Sequence, residues 1–176
     1  KSFPNKITFI KKPVLILLLL FWHIIYENFL FEEAFIMGTN RSIQWTKLII
    51  AILVPMGGGF LVRLLTPDAN EIYAQLIKPP ASPPGIVFGI VWPILYFLIG
   101  LASYLVWVKK DHGPALYYYY IQLLVNFFWS IIFFNLNLYG LAVIWSAAIL
   151  ILASLAASEF YKVSHAAFFL FIPYLL

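Results

Sequence analysis

Gln122, Asn126, Trp129, Ser130 and Phe133 recur at i, i+4, i+7, i+8 and i+11, a spacing that puts them on one face of one helix. Two amides therefore stand inside an apolar run, residues 115–136. An amide in hydrocarbon needs a hydrogen-bond partner, so this stripe faces either another helix or a polar ligand. Interhelical contacts of that kind contribute about 0.6 to 2 kcal/mol each, and spacing alone leaves both readings open. A second face, Phe88, Trp92, Tyr96, Ile99 and Ser103, runs through the preceding apolar stretch at three- and four-residue steps. Pro93 removes a backbone hydrogen bond beside Trp92 and should kink or loosen the helix there. Aromatic faces usually pack against neighbours; they also offer flat surfaces with indole and phenol groups as polar handles. This is binding chemistry, since the sequence shows no acid–base pair and no nucleophile constellation. The absence of cysteine excludes disulfides, thiolate catalysis and thiolate metal sites. His23, His112 and His165 stand apart from one another and read as loop or headgroup residues, so neither a metal nor a cofactor is expected.

The elements that position these residues must lie in a membrane. The 176 residues are 64% hydrophobic, 19% aromatic and 10% charged, with mean hydropathy +0.94, and a water-soluble domain of this size could not cover that much apolar surface. A spanning helix needs about 20 mostly apolar residues. Runs of that length occupy 45–65, 84–108, 115–136 and 139–160, and a fifth begins near Ser164. They lack the alternation of a barrel, leaving helices as the way to satisfy the backbone in lipid. The expectation is an all-α membrane protein, a bundle of five transmembrane helices. The net charge of +4 does not indicate nucleic acid, because the basic residues are scattered at helix ends, where they anchor topology and headgroups.

The first span carries Gly57, Gly58 and Gly59, which admit a neighbouring helix or a ligand close to the backbone. After Pro67, Asp68 suits an N-cap, and Ala69, Ile72, Tyr73, Leu76 and Ile77 recur at helical spacing. Residues 67–82 should thus form a short amphipathic segment across the end of the bundle, placed between two spans to act as a lid. Pro79, Pro80, Pro83 and Pro84 stiffen its exit, with Ser82 as cap and Pro83 as the first residue of the second span. The short loop at residues 135–139 makes the third and fourth spans antiparallel neighbours. Small residues from Ala147 to Ser158 let the fourth span pack closely.

Residues 1–36 read as a leader preceding a membrane domain at 37–176. Residues 14–31 are apolar enough for a signal or an extra span, with Lys11 and Lys12 as a positive flank. An extra span would put Arg41, Lys47, Lys109, Lys110 and Lys162 on the outer face, against the positive-inside rule. Glu32, Glu33 and Ala34 can also be encoded by a ribosome-binding sequence ahead of the Met37 codon, which favours translated upstream sequence. With five spans, the amino terminus lies inside and the lid, with Arg63 and Lys78, outside. The last apolar helix, about 20 Å long at 1.5 Å per residue from Ser164, is expected to continue beyond Leu176.

Three motifs in order resemble those of the TspO/MBR family, the tryptophan-rich sensory proteins, translocator protein and peripheral benzodiazepine receptor. Lys78-Pro79 and Pro83-Pro84 precede VFGIVWPILYFLIGLASYLVW, similar to the family's VFGxVWxxLYxxxGxAxYLVW. Gln122 to Asn126 with Trp129, Phe133 and Phe134 resembles QLxLNxxWxxxFF. Val163-Ser164-His165-Ala166-Ala167 and Pro173-Tyr174-Leu175 resemble VSxxAAxLLxPYLxW. The similarity covers residues 45–176.

The resemblance implies a five-helix bundle in the bacterial cytoplasmic membrane that binds porphyrins, haem-related tetrapyrroles and similar aromatic ligands inside the bundle. Tyr73 on the lid, Trp92 and Tyr96 on the second span, and Asn126 and Trp129 on the third would line the cavity. It implies a receptor or sensor, with light-dependent porphyrin breakdown as a further activity in which Trp92 would be the redox residue. The alternative is a membrane carrier for tetrapyrroles or other amphipathic molecules, although the chain shows no internal repeat of the kind such carriers usually have. Homodimerisation is also implied, but the third span lacks the small-xxx-small pattern of some relatives. A tryptophan expected early in the fourth span is absent near Leu141, and the one expected after Leu175 falls beyond Leu176. Sterol binding is therefore not argued.

Overall fold

The computed structural model describes His23, residues 43–78 and residues 82–176. The proposed leader 1–36, its apolar stretch 14–31, and Pro79 and Pro80 lie outside the described residues, apart from His23. The unit formed by Ile43–Leu176 is helical throughout, and no strand occurs among the described residues.

Its elements are α1 (Trp45–Leu65), α2 (Ala69–Gln75), α3 (Gly85–Trp107), α4 (Ala115–Ser130), α5 (Tyr139–Val163) and α6 (His165–Leu175). A π-helical turn, Ile131–Asn135, extends α4. Four segments are long and apolar enough to cross a membrane: α1, α3, α4 with its π-turn, and α5. At 21 residues α1 is about 31 Å long, matching a hydrocarbon core of about 30 Å. The 11 residues of α6 span about 16 Å. This is an integral, multi-pass membrane protein. Large apolar side chains such as Leu53, Phe60, Ile90, Leu124, Ile144 and Ile151 are exposed on the bundle's outside, where lipid replaces water as solvent.

Packing runs around the bundle from α1 to α3, α6, α5 and α4, and α4 touches α1 and α3 only sparsely. The close α1–α3 approach has a local cause. Pro55 sits inside α1 and is buried; lacking an N–H, it leaves the Ala51 carbonyl without its usual helical donor. Gly100 of α3 faces that carbonyl, and a Cβ at this position would lie 2.8 Å from Ala51 O and 3.2 Å from Pro55 Cγ. Small residues also permit the α5–α6 contact, where Ala153, Ala156, Ala157, Ala166 and Ala167 are buried.

The helix ends differ from their expected positions in instructive ways. The second span starts at Gly85 with Pro84 at the N-cap position, not with Ser82 as cap and Pro83 as first helical residue. The residue before a proline is pushed away from helical geometry, so Pro84 keeps Pro83 out of the helix. Asp68 precedes α2 but makes no side-chain capping bond. Instead, Arg63 Nη1 donates to Thr66 O at 2.8 Å and Pro67 O at 3.1 Å, while Thr66 Oγ1 donates back to Val62 O. α6 begins next to Ser164, as expected, and Ser164 caps it, accepting from Ala167 N at 3.3 Å. The turn between α4 and α5 passes through Asn137 at φ 54°, a conformation that asparagine adopts more readily than most residues.

Candidate functional site

Where α4 stands off from α1 and α3, aromatic and amide side chains fill the interval. Tyr96 of α3 reaches across to α4, and its hydroxyl donates to Asn126 Oδ1 at 2.8 Å. Its ring contacts Phe127 edge-on at 5.8 Å between centroids. Both rings rest on the glycines of α1: a Cβ on Gly59 would overlap the Tyr96 ring, and one on Gly58 the Phe127 ring. Gly57 faces open space. The glycine run thus makes room for two aromatic side chains.

Trp92 lies one turn from Tyr96 on α3, 5.5 Å between ring centroids, and meets Tyr174 of α6 edge-on at 6.3 Å. The Tyr174 hydroxyl donates to Gln122 Oε1 at 2.9 Å. Each amide of α4 consequently accepts from a phenol on another helix: Asn126 from α3 and Gln122 from α6. Both are buried, and these bonds satisfy the two amide oxygens, whereas Gln122 Nε2 is buried without a hydrogen-bond partner among the described residues. Trp92 is half-buried and presents the remaining indole surface.

Nearer the end of the bundle, Tyr73 of α2 contacts Phe88 of α3 edge-on at 5.2 Å, and its hydroxyl donates to Pro83 O at 2.7 Å. Lys78 Nζ donates to Tyr73 O at 2.7 Å and stands 4.1 Å from the centre of its ring. Phe88, Trp92 and Tyr96 are spaced by four residues, so Tyr73 crowns the same α3 face that carries Trp92 and Tyr96.

Trp129 turns elsewhere. Its indole N–H is shared between Ala142 O at 3.1 Å and Ser146 Oγ at 2.8 Å, both on α5, and its ring stacks on Phe133 at 4.8 Å. The structure therefore brings Trp92, Tyr96 and Asn126 together, sets Tyr73 above them, and commits Trp129 to the α4–α5 seam. Trp145 of α5 reinforces that seam by donating to Val125 O at 2.8 Å. The π-turn after α4 carries Asn135 to α1, where Nδ2 donates to Leu65 O at 2.8 Å.

Spacing alone did not single out Tyr174 or Phe127, and the glycine run, read as a place of close approach, did not show which two rings Gly58 and Gly59 seat. Tyr174 carried a signal, the Pro-Tyr-Leu motif, but no periodicity links it to Trp92. Among the described residues, no group of three His, Asp or Glu side chains could hold a metal ion.

The TspO/MBR family model matches residues 51–176. The chain belongs to the TspO/MBR family. It is similar to a tryptophan-rich protein TspO of Archaeoglobus fulgidus, 36% identical over 52% of this chain and 61% of that protein, so the match spans less than two thirds of that relative. It is 37% identical to a tryptophan-rich sensory protein of Cereibacter sphaeroides over 64% of this chain and 70% of that one. With the translocator protein of Ovis aries it shares 33% identity over 74% of this chain and 81% of the relative. The TspO/MBR match includes all of α3, α4, α5 and α6, and therefore every residue of the Trp92–Tyr96–Asn126–Tyr174 group.

Proposed function

We propose that this TspO/MBR protein is a membrane receptor or sensor whose five membrane helices, with α6 as the fifth, bind a porphyrin or related tetrapyrrole between α1, α3 and α4. The observation that carries this reading is the Trp92–Tyr96–Asn126 group at membrane depth, with Tyr96 seated on Gly59 and bonded to Asn126 at 2.8 Å. A tetrapyrrole is a broad aromatic plate with polar edges. The indole of Trp92 and the ring of Tyr96 supply stacking surface, Asn126 supplies a polar contact, and the sparse α4 packing supplies the place where helices can part around a plate.

The segment between α1 and α3 acts as the lid. Tyr73 fastens it to Phe88 and Pro83, while Arg63 holds the Thr66 and Pro67 carbonyls at its other end. Trp129 contributes to the wall indirectly, by fixing α4 against α5. Light-driven breakdown of the bound porphyrin is an oxidation that takes dioxygen as its oxidant; Trp92 is the side chain placed to pass one electron to the excited macrocycle, and the reduced macrocycle then reacts with the dioxygen. The setting is the cytoplasmic membrane of a bacterium, with Lys47, Lys109, Lys110 and Lys162 at the inner end and the lid outside, as the positive-inside rule favours. Titrating the purified protein with protoporphyrin while following tryptophan fluorescence tests the reading. Saturable quenching that Asn126→Leu weakens supports it; quenching that never saturates refutes it.

A further inference from the structure

The wall described above changes character along its length. Around Trp92 its polar groups are all neutral: the phenols of Tyr96 and Tyr174 and the amides of Asn126 and Gln122. Neither α3 nor α4 with its π-turn contains an Asp, Glu, Lys or Arg, and the basic residues of α1, Lys47 and Arg63, stand in its first and last turns. A carboxylate carried to the level of Asn126 would meet no cation there, an expensive position in a bilayer. At the lid the situation reverses. Lys78 is exposed, its Nζ stands 4.1 Å from the centre of the Tyr73 ring, and one of its N–H groups is used by Tyr73 O. An ammonium has three donors, so others remain, and Lys78 forms no ion pair with a described residue. The segment's carboxylates, Asp68 and Glu71, lie toward its opposite end, before and within the first turn of α2.

We infer that the site orients its ligand, with the neutral aromatic body against Trp92, Tyr96 and Asn126 and an ionised carboxylate held at the lid by Lys78. The inference rests on the tetrapyrrole reading above and adds a direction to it: a ligand lacking a carboxylate binds without using Lys78. A phospholipid phosphate could offer Lys78 the same oxyanion chemistry, and the test separates the two sources.

Protoporphyrin and its dimethyl ester, which share one macrocycle and differ in charge, are titrated into the intact protein in phosphatidylcholine nanodiscs. The expected result is that Lys78→Gln weakens diacid binding about threefold, on the scale of a partly exposed ion pair, and leaves ester binding unchanged. Lys78→Arg restores the diacid, and Lys162→Gln at the far end alters neither. An equal loss of both ligands in Lys78→Gln would show that Lys78 only positions Tyr73, and no loss of either would show that it serves headgroups; each overturns the orientation while tetrapyrrole binding stands. Failure of the unaltered protein to bind either ligand saturably overturns the tetrapyrrole reading itself, and the orientation with it.

Discussion

The Tyr96 hydroxyl donates to Asn126 Oδ1 at 2.8 Å, and the ring that carries it occupies the space a side chain on Gly59 would need. One side chain of α3 is thus located by an absence on α1 and by an acceptor on α4. Because three helices fix it, Tyr96 reports on the whole wall.

Enlarging its seat should dislodge it. Gly59→Leu forces the Tyr96 ring away, at a cost of about 1 to 3 kcal/mol for overpacking, and porphyrin affinity should fall together with thermal stability. Gly57→Ala, where a Cβ meets nothing within 4 Å, should stabilise α1 by about 0.5 to 1 kcal/mol and leave binding alone. Paired titrations and melting curves of the two variants check this; equal binding by Gly59→Leu would remove Tyr96 from the site.

The indole at 129 should matter for a different quantity. Trp129→Phe removes the N–H shared by Ala142 O and Ser146 Oγ but keeps a ring to stack on Phe133. A loss of about 1 kcal/mol is expected, or roughly 2 to 4 °C in melting temperature, with affinity nearly unchanged. A large affinity loss without a melting shift would instead place Trp129 on the ligand.

Much of this architecture was legible beforehand, for identifiable reasons. Span length and hydropathy located α1, α3, α4 and α5 because lipid tolerates few alternatives to a continuous helix, and the apolar run beginning near Ser164 located the start of α6 in the same way. The stripe from Gln122 to Phe133 correctly placed two amides on an inward face. Its single face, however, serves three neighbours: Gln122 reaches α6, Asn126 reaches α3, and Trp129 reaches α5. Helical spacing shows that residues share a face but not which helix lies opposite. The same limit hid Tyr174, which meets Trp92 only through the α3–α6 packing, and the π-turn, whose i to i+5 bond from Leu136 N to Ile131 O leaves no periodic trace in five residues.

The segment between α1 and α3 offers a third test. No residue of α2 is buried, so replacing residues 68–82 with a short Gly-Ser linker should lower thermal stability little and weaken ligand binding clearly. Tyr73→Phe, which loses only the bond to Pro83 O, should show a smaller effect in the same direction, about 1 kcal/mol or less. Parallel loss of stability and binding in the linker variant would make the segment a structural strap.

Trp92 and Asn126 separate binding from photochemistry. Trp92→Phe keeps an aromatic face against Tyr96 and Tyr174 but removes the indole N–H and its easier one-electron oxidation. Binding should weaken by about 1 kcal/mol, the scale of one neutral hydrogen bond, while light-driven breakdown falls much further. Asn126→Leu strips the acceptor from Tyr96 and leaves a half-buried phenol unpaired, a cost of about 1 kcal/mol. It should therefore weaken binding yet leave the breakdown rate per bound porphyrin nearly intact. Measuring absorbance loss under illumination at saturating protein, so that every porphyrin is bound, isolates the chemical step from affinity. If Trp92→Phe then degrades porphyrin at the original rate, Trp92 is a stacking surface only and the electron comes from another group; Tyr96 and Tyr174, its nearest oxidisable neighbours, would be the next positions to substitute.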